Sequence, residues 1–420
     1  MAGGGPIVRV LVAGAVVVAA GLLGATHRHT WHPRLVIAAA STLADQPVHI
    51  EVTGVPPGRR VTLVSSAVDY RKAPWQAEAT FDADASGVVD PGTQAPTSGT
   101  YRGVHPAGLL WSMNPVAGDP DTAALIPRFP QYAPSFVIGL AVYMDGRRVA
   151  SAHLTREWMT PGATHRRLTL ARDGVVGDLF LPPPGTAPHP AVLTFGGSEG
   201  GESMNFTAAL LAGHGYPALS LGYFALPGLP AALSGIPMEY FAAAARVLAA
   251  QPGVSPGHVL AMGYSRGTEA ALLLADLFPG LVHGAVLYAP SAVVHLGYPN
   301  GDAAWTLGGA PVAFDQIPVD QVSGPVLAIG GGDDGLWDSY GSSVRINAEL
   351  TRLGNPYPHR ALLFPGAGHG LGTFPYLPAG TSQLDPLTHE LIFSGGTRPA
   401  NEAAQLAGWS SILSLLASIN

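Results

Sequence analysis

The chain has 420 residues, 47% of them hydrophobic and 12% charged. It can therefore bury a large core, and two domains are expected rather than one. The formal net charge is −7 at pH 7, Lys72 is the only lysine, and no basic stripe alternates with aromatics, so nucleic acid is a poor partner. The absence of cysteine excludes a disulfide framework, a thiolate metal site, a thiol nucleophile and a lipidated cysteine.

The first element is an apolar run, "IVRVLVAGAVVVAAGLLGA" (7–25), with one early arginine and small residues at Gly24–Ala25. It reads as an N-terminal hydrophobic helix serving as a signal peptide or signal anchor, with residues 1–34 forming leader and linker. Membrane attachment through residues 7–25, or secretion, is the expected location; the cytoplasm is the runner-up.

From Leu35 the pattern changes to short alternating runs. "HIEVTGVPPGRRVTLVSS" (49–66) reads as two antiparallel strands on either side of a Pro-Pro-Gly turn. "AEATFDADASGVVD" and "FVIGLAVYMDGRRVASAHLTREW" repeat the habit, the second with an Asp145-Gly146 hairpin signal. Residues 35–158 are therefore expected to form a β-sandwich, joined through "MTPGAT" to a second domain over 159–420.

That second domain opens on a hairpin, "HRRLTLARDGVVGDLFLPPPG" (165–185). The runs "PAVLTFGG", "YPALSLGYF", "HVLAMGY", "GAVLYAP" and "PVLAIGGG" come next, and helix-period stretches separate most of them. Strands buried on both faces and alternating with helices predict a mostly parallel sheet flanked by helices. Ligands bind such sheets at the carboxyl ends of the strands, where the glycine-rich endings fall.

Gly263-Tyr264-Ser265-Arg266-Gly267 fits G-x-S-x-G and lies between an apolar run and a helix. A serine at a tight strand-to-helix turn projects Oγ outward while the helix aims its free N–H groups at a developing oxyanion. Serine alone is a weak nucleophile, so an acid and then a histidine should come later in the chain. "GPVLAIGGGDDGLW" ends a strand in Asp333-Asp334, and "ALLFPGAGHGLG" ends another in a loop carrying His369. Counting from the strand's closing glycine favours Asp334 as the acid; Asp333 is the alternative, otherwise a residue that caps local N–H groups. The second oxyanion donor, beside the Arg266 amide, falls in "VLTFGGSEGGES" (192–203), at Ser198 or its alternative Gly197. Glu199 and Glu202 read as solvated loop charges. No dinucleotide or phosphate-binding motif is present, and the histidines lack metal-ligand spacing, so no cofactor and no metal is expected.

From about residue 35 to 420 the chain resembles the type I acyl-CoA thioesterases and bile acid-CoA:amino acid N-acyltransferases. The segments that carry the resemblance include "GTYRGVHPAGLLWSMNP" (99–115), "FGGSEGG", "LLAGHGYPALSLGYF", "GYSRGTEAALLLA", "GGDDGLWDS", "FPGAGHGLGTFPYLP" and "GGTRPANEAAQLAGWSSILSLL", in the family's order. The resemblance implies an Ig-like domain packed on an α/β-hydrolase domain, and a triad of Ser265, Asp334 and His369. It also implies acyl-CoA as substrate and hydrolysis as the reaction, because members with a serine nucleophile are thioesterases. Acyl transfer to an amine or alcohol is the alternative, as is hydrolysis of an exported ester, since an exported enzyme would meet little acyl-CoA. The low basic count gives no clamp for CoA phosphates beyond the single, well-placed Arg266.

Overall fold

The computed structural model describes Met1 and residues 31–299, 301–372 and 374–419. The apolar leader of residues 7–25 lies outside the described residues; among those described, no helix is long and apolar enough to cross a membrane.

The first part is all-β. Seven strands form one sheet in the order Ser41–Leu43, Arg147–Glu157, Ser135–Met144, Arg60–Val68, Pro74–Asp82 and Ser98–Gly99, with Asn114–Pro115 also on Pro74–Asp82. Alternation buries one face: Val61, Leu63 and Ala67 on one strand pack with Trp75, Ala77, Ala79 and Phe81 on its neighbour. The Asp145-Gly146 signal is realised as a two-residue hairpin loop, with both residues at positive φ. The expected pairing across the Pro-Pro-Gly turn is not. Ile50–Thr53 pairs instead with Arg34–Ile37 in a separate two-stranded sheet, and Arg60–Val68 pairs with Pro74–Asp82 and Ser135–Met144. Each strand thereby keeps its apolar face on the common core, a requirement that local turn chemistry does not express.

The second part is built on eight strands: β1 Thr164–Leu168, β2 Val176–Leu181, β3 His189–Phe195, β4 Ala218–Gly222, β5 Val254–Tyr264, β6 Ala285–Tyr288, β7 Val326–Gly331 and β8 His359–Phe364. Their spatial order is β1-β2-β4-β3-β5-β6-β7-β8. The β1-β2 and β2-β4 pairs are antiparallel and every later pair is parallel. Helices α1 (Asn205–Gly213) and α5 (Arg398–Ser418) cover one face; α2 (Met238–Ala249), α3 (Gly267–Leu277) and α4 (Ser339–Arg352) cover the other. Successive strand residues go to opposite cores: Ala191, Leu193 and Phe195 pack with Phe241, while Val192 packs with Phe206 and Trp409. This explains why these strands read as continuous apolar runs. The antiparallel start, the strand order and the helices on both faces make this an α/β-hydrolase fold.

Trp158 ties the two parts together. It is fully buried and stacks on Phe136 of the all-β sheet at 5.1 Å, touching Phe206 of α1 at 4.5 Å and Phe374 at 5.7 Å. Nearby, buried Asp45 accepts from Trp409 Nε1 at 2.5 Å and bonds His214 Nε2 at 2.5 Å. Arg398, at the start of α5, donates to Met113 O at 2.7 Å. Replacing Trp158 by alanine removes its three aromatic contacts at this junction. The expected cost is about 3–5 kcal/mol of unfolding free energy, measured by urea denaturation.

Candidate active site

Four strands end at the same edge of the sheet, and each leads into a residue singled out in the sequence. β5 ends at Tyr264 and runs directly into Ser265, which has φ +56 and is 5% exposed. Left-handed backbone is strained for a serine, and it persists because the surroundings dictate it. A Cβ on Gly263 would lie 2.2 Å from Gly267 O, and a Cβ on Gly267 would lie 2.3 Å from Gly196 O. Both glycines are therefore required by close backbone approach. The Ser265 amide donates to Tyr288 O at 2.9 Å, and Thr268 Oγ1 donates to Ser265 O at 2.7 Å, pinning the turn on both sides.

Ser265 Oγ lies 2.9 Å from His369 Nε2. His369 Nδ1 lies 3.1 and 3.0 Å from the two carboxylate oxygens of Asp334. Donation from Nδ1 to the carboxylate leaves Nε2 as the acceptor of the serine proton. Both side chains are 1% exposed. Burial alone would raise the Asp334 carboxyl, but the hydrogen bond and charge of His369, with the Ser339 hydroxyl and the Leu336 amide, hold it below its ordinary value. The His369 ring meets Trp337 edge-on at 4.8 Å, and its amide donates to Ser394 O at 2.7 Å. The structure thus brings Ser265, His369 and Asp334 together and leaves Asp333 out. The capping role expected of Asp333 belongs to Asp334, whose Oδ1 accepts from the amides of Leu336 (2.9 Å) and Trp337 (3.3 Å), whereas the Asp333 residue is exposed.

The loop after β3 packs directly on this turn: a Cβ on Gly197 would lie 2.6 Å from Ser265 Cβ. Two side chains clamp it. Tyr223, fully buried at the end of β4, places its hydroxyl 2.8 and 3.0 Å from the carbonyl oxygens of Gly196 and Gly197. Burial, reinforced by the negative charge of Glu199, raises that phenol well above its ordinary value, so it remains a donor. Glu199 takes the Gly197 amide with both carboxylate oxygens at 3.0 Å and accepts from Ser203 Oγ at 2.5 Å. The Gly197 amide is therefore occupied. Among the described residues no acceptor bonds the amides of Ser198 and Arg266.

The two glutamates are not the solvated charges expected. Glu202, at the far end of the loop, ion-pairs with Arg167 beside fully buried Asp178. His165 and Asn205 also bond Asp178, at 2.6 and 3.0 Å. Burial, and secondarily the adjacent Asp178, push Glu202 up to about 7 against the pull of Arg167. The guanidinium of Arg266 is likewise unavailable to a phosphate. It pairs with fully buried Glu269 (Nε–Oε1 2.7 Å) and donates to Leu296 O and His295 O at 2.8 and 3.0 Å. Trp305 Nε1 and His295 Nδ1 complete the cage around Glu269 at 2.8 and 2.9 Å. Tyr223, Trp337 and the Glu269 cage carry no local sequence signature; they acquire meaning only through residues distant in the chain.

Two family models match the chain: the acyl-CoA thioester hydrolase/BAAT N-terminal region over residues 45–169, and the BAAT/acyl-CoA thioester hydrolase C terminal over residues 310–418. The chain is 30% identical to the peroxisomal succinyl-coenzyme A thioesterase of Mus musculus, over 88% of this chain and 92% of that protein. It is 29% identical to the acyl-coenzyme A amino acid N-acyltransferase 1 of the same species, over 90% and 96%. Among solved structures, a putative dienelactone hydrolase from Klebsiella pneumoniae aligns with a TM-score of 0.42 at 15% identity, over 61% of this chain and 98% of that one.

Glu202 generates a pH prediction. Its folded-state value lies above its unfolded value, so the folded protein holds a proton that the unfolded chain releases. Its contribution is complete below about pH 4.5 and is lost as pH rises through about 7. The Glu202→Gln variant should therefore gain on the wild type by up to about 3 kcal/mol between those limits, measured by denaturant unfolding at a series of pH values.

Proposed function

This chain belongs to the acyl-CoA thioester hydrolase/BAAT family, and we propose that it hydrolyses acyl-CoA thioesters through an acyl-enzyme on Ser265. The observation that carries the reading is the unbroken hydrogen-bonded chain from Ser265 Oγ through His369 to Asp334, buried at the carboxyl edge of the sheet. We read the all-β part as the family's Ig-like domain.

In the first half-reaction Ser265 Oγ attacks the thioester carbonyl carbon as its proton passes to His369 Nε2. Asp334 holds the ring in the productive tautomer and balances the imidazolium that forms. The carbonyl oxygen becomes an oxyanion, and the amides of Arg266 and Ser198 are its donors. Arg266 stands at the start of α3, whose positive dipole end adds to the field there. The carbon–sulfur bond breaks and CoA leaves as a thiolate. Thiols ionise near a pKa of ~8.5, so this leaving group needs little proton assistance. In the second half-reaction His369 takes a proton from water, the hydroxide attacks the acyl-serine, and the proton returns to Ser265 as the free acid departs.

The reading is tested with purified protein and a thiol-release assay on acyl-CoA. Ser265→Ala should lower kcat by at least about a thousandfold, and acyl-CoA hydrolysis surviving that change overturns the assignment. Product analysis with glycine or taurine present separates hydrolysis from transfer: free fatty acid is the expected product, and an N-acyl amino acid in its place would make the protein a transferase.

A further inference from the structure

We propose that Glu199 makes this site selective for uncharged acyl groups and against acyl groups bearing a second carboxylate. The inference rests on the reading of Ser265 as the acylated residue. A cavity of about 390 Å³ is lined by residues that flank two of the triad members in sequence, Tyr264 before Ser265 and Gly370 and Gly372 after His369, and by Glu199 and Ser203 of the loop after β3. Among the described residues that line it, Glu199 is the only charged one. The carboxylate and the Ser265 hydroxyl both lie close to Gly197. A Cβ on Gly197 would lie 2.9 Å from Ser265 Oγ and 3.0 Å from Glu199 Oε2.

Those two contacts bring the serine and glutamate oxygens within ~6 Å of each other, a range in which charges interact strongly away from bulk water. A four-carbon diacid held as a thioester places its free carboxylate about 4–5 Å from the reacting carbonyl carbon. Among the described residues, no cation near Ser265 is free to offset the repulsion. The Arg266 guanidinium is closed off by Glu269 and two carbonyl oxygens, and any charge on His369 is balanced by Asp334. Where the substrate's free carboxylate settles about 6 Å from Glu199, repulsion at an effective dielectric constant of about 20 disfavours the transition state by about a hundredfold in rate.

The inference thus separates this chain from its relative named for succinyl-coenzyme A. The test compares kcat/KM for succinyl-CoA and for 4-methylpentanoyl-CoA, its uncharged isostere, in wild type, Glu199→Gln and Ser265→Ala. Glutamine keeps an acceptor for the Gly197 amide, so the variant removes the charge and spares the clamp. Wild type should prefer the uncharged substrate by about a hundredfold, and Glu199→Gln should narrow that preference at least tenfold, chiefly by raising the succinyl-CoA rate. Equal wild-type rates, or a preference unmoved by Glu199→Gln, would overturn the proposal while leaving the thioesterase reading intact. Absence of any Ser265-dependent hydrolysis of either thioester would overturn both.

Discussion

The strained turn at Ser265 sets the terms for everything around it. At φ +56 the serine points its Oγ away from the sheet, and the backbone of β5, the first turn of α3 and the loop after β3 close to contact around it. No side chain fits between them at Gly263 or Gly267. That contact brings the Gly196–Gly197 backbone to Ser265, and the parallel order β3-β5-β6-β7-β8 places the loops bearing Asp334 and His369 at the same edge. The strain is sustained by the two cores that bury β5 on both faces, with Val259 and Ala261 in one and Leu260 and Met262 in the other.

Charge inside this site is consistently paired with structure before it is offered to a ligand. Glu269, the most enclosed carboxylate near the nucleophile, is surrounded by Arg266, Trp305 and His295. Removing one member of such a buried pair would leave an uncompensated charge, which is more damaging than the pair itself is stabilising. The cage therefore holds Arg266 in place through its side chain, while among the described residues no acceptor bonds its amide. The same division applies to the loop after β3: Tyr223 and Glu199 take the peptide groups of Gly196 and Gly197, and among the described residues no acceptor bonds the neighbouring Ser198 amide. Glu202 and Asp178 anchor the loop's far end through Arg167.

Several departures from local expectation share one physical origin. Ile50–Thr53 and Arg60–Val68 are legible as strands from their alternation, but Ile50–Thr53 pairs back with Arg34–Ile37 and Arg60–Val68 takes Ser135–Met144 as its second partner, pairings that a turn motif does not report. Glu199 and Glu202 sit in a glycine-rich, polar stretch whose composition resembles an exposed loop, yet Arg167, 35 positions away, pairs with Glu202. Arg266 beside a reactive serine looks like a ligand for phosphate until Glu269, one helical turn later, and the carbonyls of His295 and Leu296 are brought to it.

The sequence by itself determined the features that local periodicity and the order of short motifs dictate. The alternating all-β region, the doubly buried strands, the glycine-flanked serine and the Ser-Asp-His order can all be read without coordinates, because strand and turn chemistry are local. Only the tertiary structure decided between neighbours one residue apart. Asp334 rather than Asp333 reaches His369, because the turn after Gly331 seats the Asp334 carboxylate against the histidine loop and leaves Asp333 exposed. Ser198 rather than Gly197 keeps a free amide, because the Glu199 side chain folds back on the loop. Which side chains surround Ser265, and with what charge, is a property of segments that meet in space, and no single stretch of chain records it.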